Sequence, residues 1–273
     1  MYNIIIGKRS NLSKHLSNAL DNCILISSDS IESELNRINW SVVKNANLIL
    51  NQFQPSNRLY DISSPIDYIS NSILSTALIL DFVKRNKNKF NKIVYTSSSS
   101  VYGQNKLCNE SDVEAPINLY ASLKLANEHL VSSFCNDEKI DFTVTRIFNM
   151  YGGNDQFSII SKLINAINNG NKIDLINNGS AIRDFIYIED VVKTYQIILN
   201  CKSLPILNIA SGHGVSIDSI LIFLNEKGFK LKFNSITREE IRSSIADNSK
   251  LIELHGSFDF HNIKDYLLES LKR

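Results

Sequence analysis

Short apolar runs alternate with longer helix-patterned segments over the first 150 residues, and this alternation constrains the fold more than any other feature. The runs at 3–6, 23–26 and 48–50 are almost continuously apolar and lack the every-second-residue pattern of half-exposed strands. Parallel strands covered by helices on both faces have this pattern. The sequence therefore predicts an α/β fold with a Rossmann-like, doubly wound parallel sheet.

The pattern becomes looser after residue 153 and suggests a second, smaller unit. We predict that residues 1–150 form the dinucleotide-binding domain and that 183–210 return to it. Residues 151–182 and 211–273 then form an interleaved C-terminal substrate-binding lobe. The predicted strands lie at 3–6, 23–26, 48–50, 93–95, 142–147, 185–188 and 206–209, and the predicted helices at 11–20, 69–83, 119–134 and 158–168.

Charge and composition exclude several classes of partner. The 29 Lys and Arg residues balance 28 Asp and Glu residues and are scattered, which gives no electrostatic footprint for nucleic acid. No uninterrupted apolar run is long enough to span a bilayer and no signal peptide is recognisable, so we expect a cytoplasmic protein without membrane contact. The four Cys and five His residues are dispersed, which predicts neither disulfides nor a metal site.

The turn after the first predicted strand is the expected ligand site, because such sheets bind ligands at the carboxyl ends of their strands. It reads Gly7-x-x-Ser10-x-x-Ser13 and keeps only the first glycine of the three-glycine dinucleotide pattern. Serine is the next smallest polar replacement, although a single glycine after a strand is more often a simple turn. The predicted dinucleotide-binding residues of this turn are Gly7, Lys8, Arg9, Ser10, Asn11 and Leu12.

The end of the second predicted strand bears on which dinucleotide is bound. Ser27 stands where NAD-binding sheets carry an acid for the adenosine ribose, and Asp29 comes two positions late. With Lys8 and Arg9 nearby, a 2′-phosphate is tolerable, so the sequence favours NADP(H) over NAD(H). The alternative is that both cations are merely solvated loop charges.

Tyr120 and Lys124 form a candidate proton-transfer pair. A spacing of four places both side chains on one face of a helix, about one turn apart. We expect the ammonium to lower the phenol pKa, so that Tyr120 exchanges protons with a substrate oxygen. Ser98 ends an apolar strand upstream and can hydrogen-bond the same oxygen. The alternative is an ordinary amphipathic helix face, because this spacing is common.

These features together resemble the extended short-chain dehydrogenase/reductase family, specifically the NAD-dependent epimerase/dehydratase group that modifies nucleotide sugars. The resemblance runs nearly end to end. It rests on the degraded glycine loop, the segment 64–71, the serines 97–100 before Val101-Tyr102-Gly103, Tyr120 with Lys124, and the segments 146–152, 183–190 and 207–212.

The resemblance implies roles for the residues around the proton-transfer pair. Tyr120 corresponds to the acid/base, and Lys124 to its partner and ribose ligand. Ser98 binds the substrate oxygen, and Asn71 holds a water in the proton relay. Asn51, after the fourth strand of the family pattern, is assigned to the cofactor.

Substrate contacts follow from the same resemblance. Ser99 is assigned to the substrate together with Ser98, and Asn149 and Arg183 to its nucleotide diphosphate. The structural alternatives are an amide cap at a strand end for Asn149 and a salt bridge with Asp184 or Asp190 for Arg183. A homodimer through a helix pair that includes the Tyr120 helix is also a family expectation.

Departures from the family pattern limit which reactions the protein can catalyse. Sugar 4,6-dehydratases carry Asp-Glu where this chain has Ser99-Ser100, so the groups for water elimination are missing. The short third-strand region, the Gly7-Lys8 start of the turn and Asn51 resemble compact 4-keto-sugar reductases, and the lost glycines speak against tight cofactor retention. These departures favour NAD(P)-dependent reduction of an NDP-4-keto-6-deoxysugar at carbon four. One alternative is an NDP-sugar 4-epimerase that retains NAD, since residues 97–103 most resemble UDP-glucuronate 4-epimerases. A less favoured alternative is a non-catalytic dinucleotide-binding sensor.

Overall fold

Six parallel strands form the central sheet, which confirms the predicted fold class. The computed structural model describes residues 1–51, 64–202, 204–256 and 258–271. The strands are β1 (Asn3–Ile6), β2 (Cys23–Ile26), β3 (Ala46–Leu50), β4 (Phe90–Ser98), β6 (Asp141–Ile147) and β10 (Ile206–Ile209). Their order is β2-β1-β3-β4-β6-β10, and every neighbouring pair is parallel.

Helices cover both faces of this sheet. They are α1 (Asn11–Ala19), α2 (Ile31–Arg37), α3 (Pro65–Ile69), α4 (Ser75–Arg85), α5 (Leu119–Glu138) and α7 (Ile188–Ile198). Successive strand side chains point to opposite faces, so Ile4 and Ile6 join the core under α2, α4 and α5, whereas Ile5 joins the core under α1 and α7. The two cores explain why the strands are apolar without alternation.

Strand β2 is one of the two edge strands of the central sheet, within the residues that the structure describes. After β2 the chain enters α2 at Ile31 and then β3 at Ala46, so the third strand expected of the family has no counterpart in this part of the chain. The sequence prediction of a shortened region is confirmed. As a result, α2 follows closely on the carboxyl end of β2.

A second, smaller unit carries two further sheets. Its strands are β5 (Leu107–Cys108), β7 (Asn149–Tyr151), β8 (Lys172–Ile176), β9 (Ile182–Tyr187), β11 (Gly214–Ser216), β12 (Lys232–Ile236) and β13 (Ser243–Ala246), and its helices are α6 (Ile159–Asn169), α8 (Ile217–Glu226) and α10 (Ile263–Leu271). Helix α9 (Ser249–His255) packs instead on α7 and β10, with Leu251 in the core under α1 and α7. One sheet has the order β11-β9-β13-β5, with β7 paired to β9, and in the other β12 pairs with β8. The domain boundaries stay a prediction. The segment 183–210, which we expected to return as a whole to the dinucleotide-binding domain, is instead shared between the two units. Strand β9 pairs within the smaller unit, whereas α7 and β10 belong to the main sheet.

The stretch Pro65–Arg85 is a continuous 21-residue helix, with α3 and α4 joined by a π-helical turn at Ser70–Leu74. By length and composition alone it could cross a membrane, which the sequence analysis did not anticipate. Its residues Ile79 and Val83 are fully buried in the core over the sheet. The helix therefore packs as a layer of the doubly wound fold.

Candidate active site

The end of β4 and the start of α5 bring the predicted catalytic residues together. Tyr120 lies in the first turn of α5, which Asn118 caps by accepting a hydrogen bond from Ala121 N at 2.9 Å. The Tyr120 phenol lies close enough to the side chain of Ser98, the last residue of β4, for the Ser98 hydroxyl to lower the pKa of the phenol. Lys124 lies one turn further, with its Nζ 5.8 Å from the centroid of the Tyr120 ring. The three residues form one cluster at the carboxyl edge of the sheet.

The protonation of this cluster differs from the sequence prediction. Burial raises the pKa of Tyr120 to about 12, and the nearby Ser98 hydroxyl only partly opposes this. Burial also lowers the pKa of Lys124 to about 8, opposed by the carboxylate of Glu128. The prediction that Lys124 lowers the phenol pKa is therefore wrong for this chain on its own, because desolvation dominates. Near neutral pH Tyr120 is a phenol that can donate a proton.

Lys124 is held in place by the backbone of the strand beside it. It is buried, and its Nζ donates a hydrogen bond to Thr96 O at 2.8 Å. The same Nζ lies 5.2 Å from the centroid of the Tyr95 ring. Strand β4 thus fixes the position of the ammonium as well as that of Ser98.

The polar residues behind Tyr120 were only partly foreseen. Asn71 lies in the π-helical turn with an exposed side chain, so its relay role stays a prediction. The neighbouring Ser72 is buried and accepts a hydrogen bond from Asn127 Nδ2 at 2.8 Å. Tyr68 is also buried, and its hydroxyl has no partner among the described residues. The spacing of seven between Tyr120 and Asn127 was the available signal, because it returns to the same helix face.

A buried ion-pair network ties the catalytic elements to one another. Arg146 on β6 is fully buried, and its Nη2 lies 2.7 Å from Glu128 Oε2 and 2.5 Å from Glu114 Oε1. Ser97, directly before Ser98, donates a hydrogen bond to Glu128. Glu128 thereby joins β4, α5 and β6. Sequence analysis missed it, although it lies four residues after Lys124 on the same helix face.

The turn after β1 has the features needed to hold a pyrophosphate. Gly7 has a φ of +109°, which favours glycine, and Ser10 caps α1 by accepting from Ser13 N at 3.4 Å. The backbone N–H groups at such a helix start bind phosphate. Asn51, at the end of β3, donates hydrogen bonds to Ser10 Oγ at 2.9 Å and to Ser13 Oγ at 2.7 Å. These residues fit a dinucleotide.

Two other residues of the turn have structural contacts of their own. Asn11 Nδ2 donates to Gly152 O at 2.9 Å, and Asn11 Oδ1 accepts from Asn154 N at 3.0 Å. The Leu12 side chain is buried in the core under α1. Asn11 therefore links the turn to the smaller unit, and the Leu12 side chain is occupied by packing.

Of the two cations assigned to a 2′-phosphate, Arg9 is already paired, whereas the Lys8 side chain is exposed. Arg9 pairs with Asp29 at 2.8 Å on the surface. Ser27 N lies 3.4 Å from both carboxylate oxygens of Glu34, a residue that the sequence analysis did not select. Lys8 is exposed, with its backbone N–H bonded to Ile26 O. Two carboxylates thus lie beside the predicted phosphate-binding cations.

A cleft of about 1120 Å³ runs from the turn after β1 to the smaller unit. Arg183 and Asn149 both line it, and their roles as substrate contacts stay predictions. Arg183 Nη2 pairs with Glu240 at 3.2 Å, which differs from both pairings considered in the sequence analysis. Asn149 Nδ2 donates to Asp184 O at 2.9 Å. The cleft lining, within the described residues, does not include Tyr120. Ser99 begins the short 3₁₀ turn that follows Ser98.

Solved structures establish the fold. A UDP-glucose 4-epimerase of Thermus thermophilus in complex with NAD superposes with a TM-score of 0.85 at 14% identity, covering 100% of this chain and 98% of that one. RMD of Pseudomonas aeruginosa complexed with NADPH superposes with a TM-score of 0.81 at 22% identity, covering 99% and 98%. The whole chain thus shares its architecture with dinucleotide-binding proteins.

Sequence comparison identifies the family. A dTDP-D-glucose 4,6-dehydratase of Dictyostelium discoideum is 33% identical over 148 residues, 49% of this chain and 34% of that relative. An uncharacterized protein of Methanocaldococcus jannaschii is 32% identical over 224 residues, 78% of this chain and 66% of that relative. The matched part therefore spans between a third and two thirds of these relatives. The family model for NAD dependent epimerases and dehydratases matches residues 9–210, and the chain belongs to this family.

Proposed function

We propose that this protein is an NAD(P)-dependent oxidoreductase that acts on a nucleotide sugar at carbon four, with Tyr120 as its acid/base. The observation that carries the proposal is the cluster of Tyr120 beside Ser98, with Lys124 one turn away. The dinucleotide, when bound, would exchange a hydride with the sugar carbon. Gly7, Ser10 and Asn51 would hold its pyrophosphate at the start of α1.

Tyr120, Ser98 and Lys124 have different roles in the reaction at the substrate oxygen. Tyr120 gives its proton to that oxygen in the reducing direction, and Ser98 stabilises the oxygen by a hydrogen bond. Lys124, whose pKa is about 8, is the nearby cation and is fixed by Thr96 O. Burial of the phenol favours its protonated form, so removing the proton near neutral pH would need a further positive charge.

Reduction of an NDP-4-keto-6-deoxysugar is the first candidate within this proposal. A phenol with a pKa of about 12 is a proton donor at neutral pH, and reduction of a ketone requires donation. Ser99 and Ser100 offer hydroxyl groups where water elimination needs acids, so a dehydratase is not supported.

The second candidate is a 4-epimerase that retains NAD. It is favoured by the carboxylates of Asp29 and Glu34 at the end of β2, which oppose the 2′-phosphate of NADP. Reduction consumes the reduced dinucleotide in each turnover, whereas epimerisation returns it unchanged. Following the absorbance of the reduced cofactor with NDP-4-keto and NDP-hexose substrates separates the two.

The test of the acid/base assignment is Tyr120→Phe. We expect a loss of turnover of roughly 10²–10⁴-fold, while the dinucleotide and the sugar nucleotide still bind. Tyr266→Phe, on α10, is the matched control and should leave turnover unchanged. Normal turnover of the Tyr120 variant would refute the proposed function.

We also propose that two copies of the chain associate through the helices around α4 and α5. Leu74 and Leu78, one turn apart on the Pro65–Arg85 helix, are exposed, and so is Leu130 on α5. Burying such a patch between two copies would remove apolar surface from water. Light scattering after size-exclusion chromatography should give twice the chain mass, and Leu78→Glu should return the protein to a monomer.

A further inference from the structure

The carboxyl end of β2 carries a carboxylate that the sequence does not place there. In sheets of this class an acid at this point binds the adenosine ribose. Here Ser27 occupies the position, but the Glu34 carboxylate reaches it from α2, with both oxygens 3.4 Å from Ser27 N. Ser30 Oγ donates a second hydrogen bond to Glu34. Two donors therefore fix this carboxylate at the strand end.

The missing third strand explains why Glu34 can reach this point. Strand β2 ends at Ile26 and helix α2 begins at Ile31, and the Glu34 carboxylate in the helix lies against Ser27 N, directly after the strand. A cleft of about 510 Å³ opens beside it, lined by Ile26, by Glu34 and Arg37 of α2, and by Lys8 of the turn after β1. Lys8 and Glu34 thus lie on the wall of one cleft, next to the turn where the pyrophosphate is proposed to bind.

The charges around the cleft decide which ribose it accepts. Glu34 is partly buried and fixed by its two donors, whereas Lys8 and Arg37 are exposed side chains. Arg9 is paired with Asp29 and so carries its own counter-charge. A carboxylate accepts hydrogen bonds from the two hydroxyls of an unmodified ribose, but it repels a phosphate that carries nearly two negative charges.

We propose that Glu34 binds the adenosine ribose hydroxyls and makes the protein selective for NAD(H) over NADP(H). The inference rests on the proposed function, since it assumes that a dinucleotide binds at the turn after β1. It replaces the preference for NADP(H) drawn from the sequence, because that preference depended on an apparent absence of acid at the end of β2.

Calorimetric titration of nucleotide-free protein with NADH and with NADPH tests the inference without any activity measurement. We expect the native chain to bind NADH roughly tenfold or more tightly than NADPH, and Glu34→Gln to reduce that ratio by roughly tenfold. Glu32→Gln is the matched control. It removes the same charge from the same helix, but Glu32 is exposed, and the ratio should stay unchanged.

A rescue variant keeps the test independent of folding defects. Ser27→Asp added to Glu34→Gln returns an acid to the strand end and should restore the preference for NADH. Two results would overturn this inference and leave the proposed function intact. The native chain could bind NADPH as tightly as NADH or more tightly, or the Glu34 and Glu32 variants could change the ratio of the two affinities equally. If the native chain bound neither dinucleotide, the proposed function would fall together with the inference.

Discussion

Replacing Glu128 with glutamine should destabilise the protein markedly, because it would leave a buried guanidinium without most of its counter-charge. Arg146 is fully buried, and the Glu128 side chain is only 5% exposed. Glu128 accepts three contacts from Arg146, two from Nε at 3.2 Å and one from Nη2 at 2.7 Å. Removing one partner of a buried pair costs about 3–5 kcal/mol. Glu114 remains as a partner of Arg146, so we expect the lower end of this range, about 3 kcal/mol.

Thermal unfolding followed by circular dichroism measures this cost. An unfolding entropy of about 2.1 cal/mol/K per residue over 273 residues gives about 0.6 kcal/mol/K, so about 3 kcal/mol lowers the Tm by about 5 °C. Glu114→Gln is the matched control on the same guanidinium, and its side chain is 25% exposed. Partly exposed pairs contribute about 1 kcal/mol or less, which corresponds to about 2 °C.

Two results would refute this reasoning. The Glu128 variant could unfold within about 1 °C of the native chain, which would mean that the buried pair contributes little beyond its desolvation cost. The Glu114 variant could instead be the more damaging one, which would mean that exposure does not control the strength of these pairs. Either result would also weaken the view that Glu128 positions Ser97 and the catalytic strand end.

Two further predictions concern the cluster and the turn after β1. The pKa of Lys124 falls from its usual 10.5 to about 8 on folding, so the unfolded chain binds more protons between these values and the free energy of unfolding rises with pH there. From pH 7.5 to 9.5 the free energy of unfolding of the native chain, measured in urea, should increase by about 2 kcal/mol relative to that of Lys124→Met. No such increase would contradict the conclusion that burial lowers the Lys124 pKa. Asn51→Ala removes the hydrogen bonds to Ser10 and Ser13 and should weaken NADH binding roughly tenfold in a fluorescence titration. Asn47→Ala, at the other end of β3, should leave binding unchanged.

The fold and the composition of the cluster could be predicted because both depend on local patterns. Continuous apolar runs specify buried parallel strands without any knowledge of their partners. The spacing of Tyr120 and Lys124 fixes their common helix face, and the position of Ser98 at the end of an apolar run fixes its place at the sheet edge. These features need only the periods of helix and strand.

Long-range contacts could not be read from the sequence. The pKa of Tyr120 depends on how much protein surrounds the phenol, which no local spacing reveals. Arg183 pairs with Glu240, 57 positions away, instead of the neighbouring acids of its own motif. Glu34 was not selected because an alignment of strand ends considers only Ser27 and Asp29. In each case the partner is set by how separate elements pack.

The serines that replace two glycines in the turn after β1 do more than fill small spaces. Three glycines in this pattern allow a tight turn, close approach of pyrophosphate and close packing of helix on strand. Here Gly7 alone keeps the positive φ that the turn requires. Ser10 caps α1, and Ser13 is fully buried, so both positions still allow close packing. Because Asn51 donates to both hydroxyls, the turn is also fixed to the end of β3 by hydrogen bonds that glycine could not make. A degraded glycine pattern is therefore compatible with a rigid dinucleotide site, and the loss of glycines is no argument by itself for weak cofactor retention.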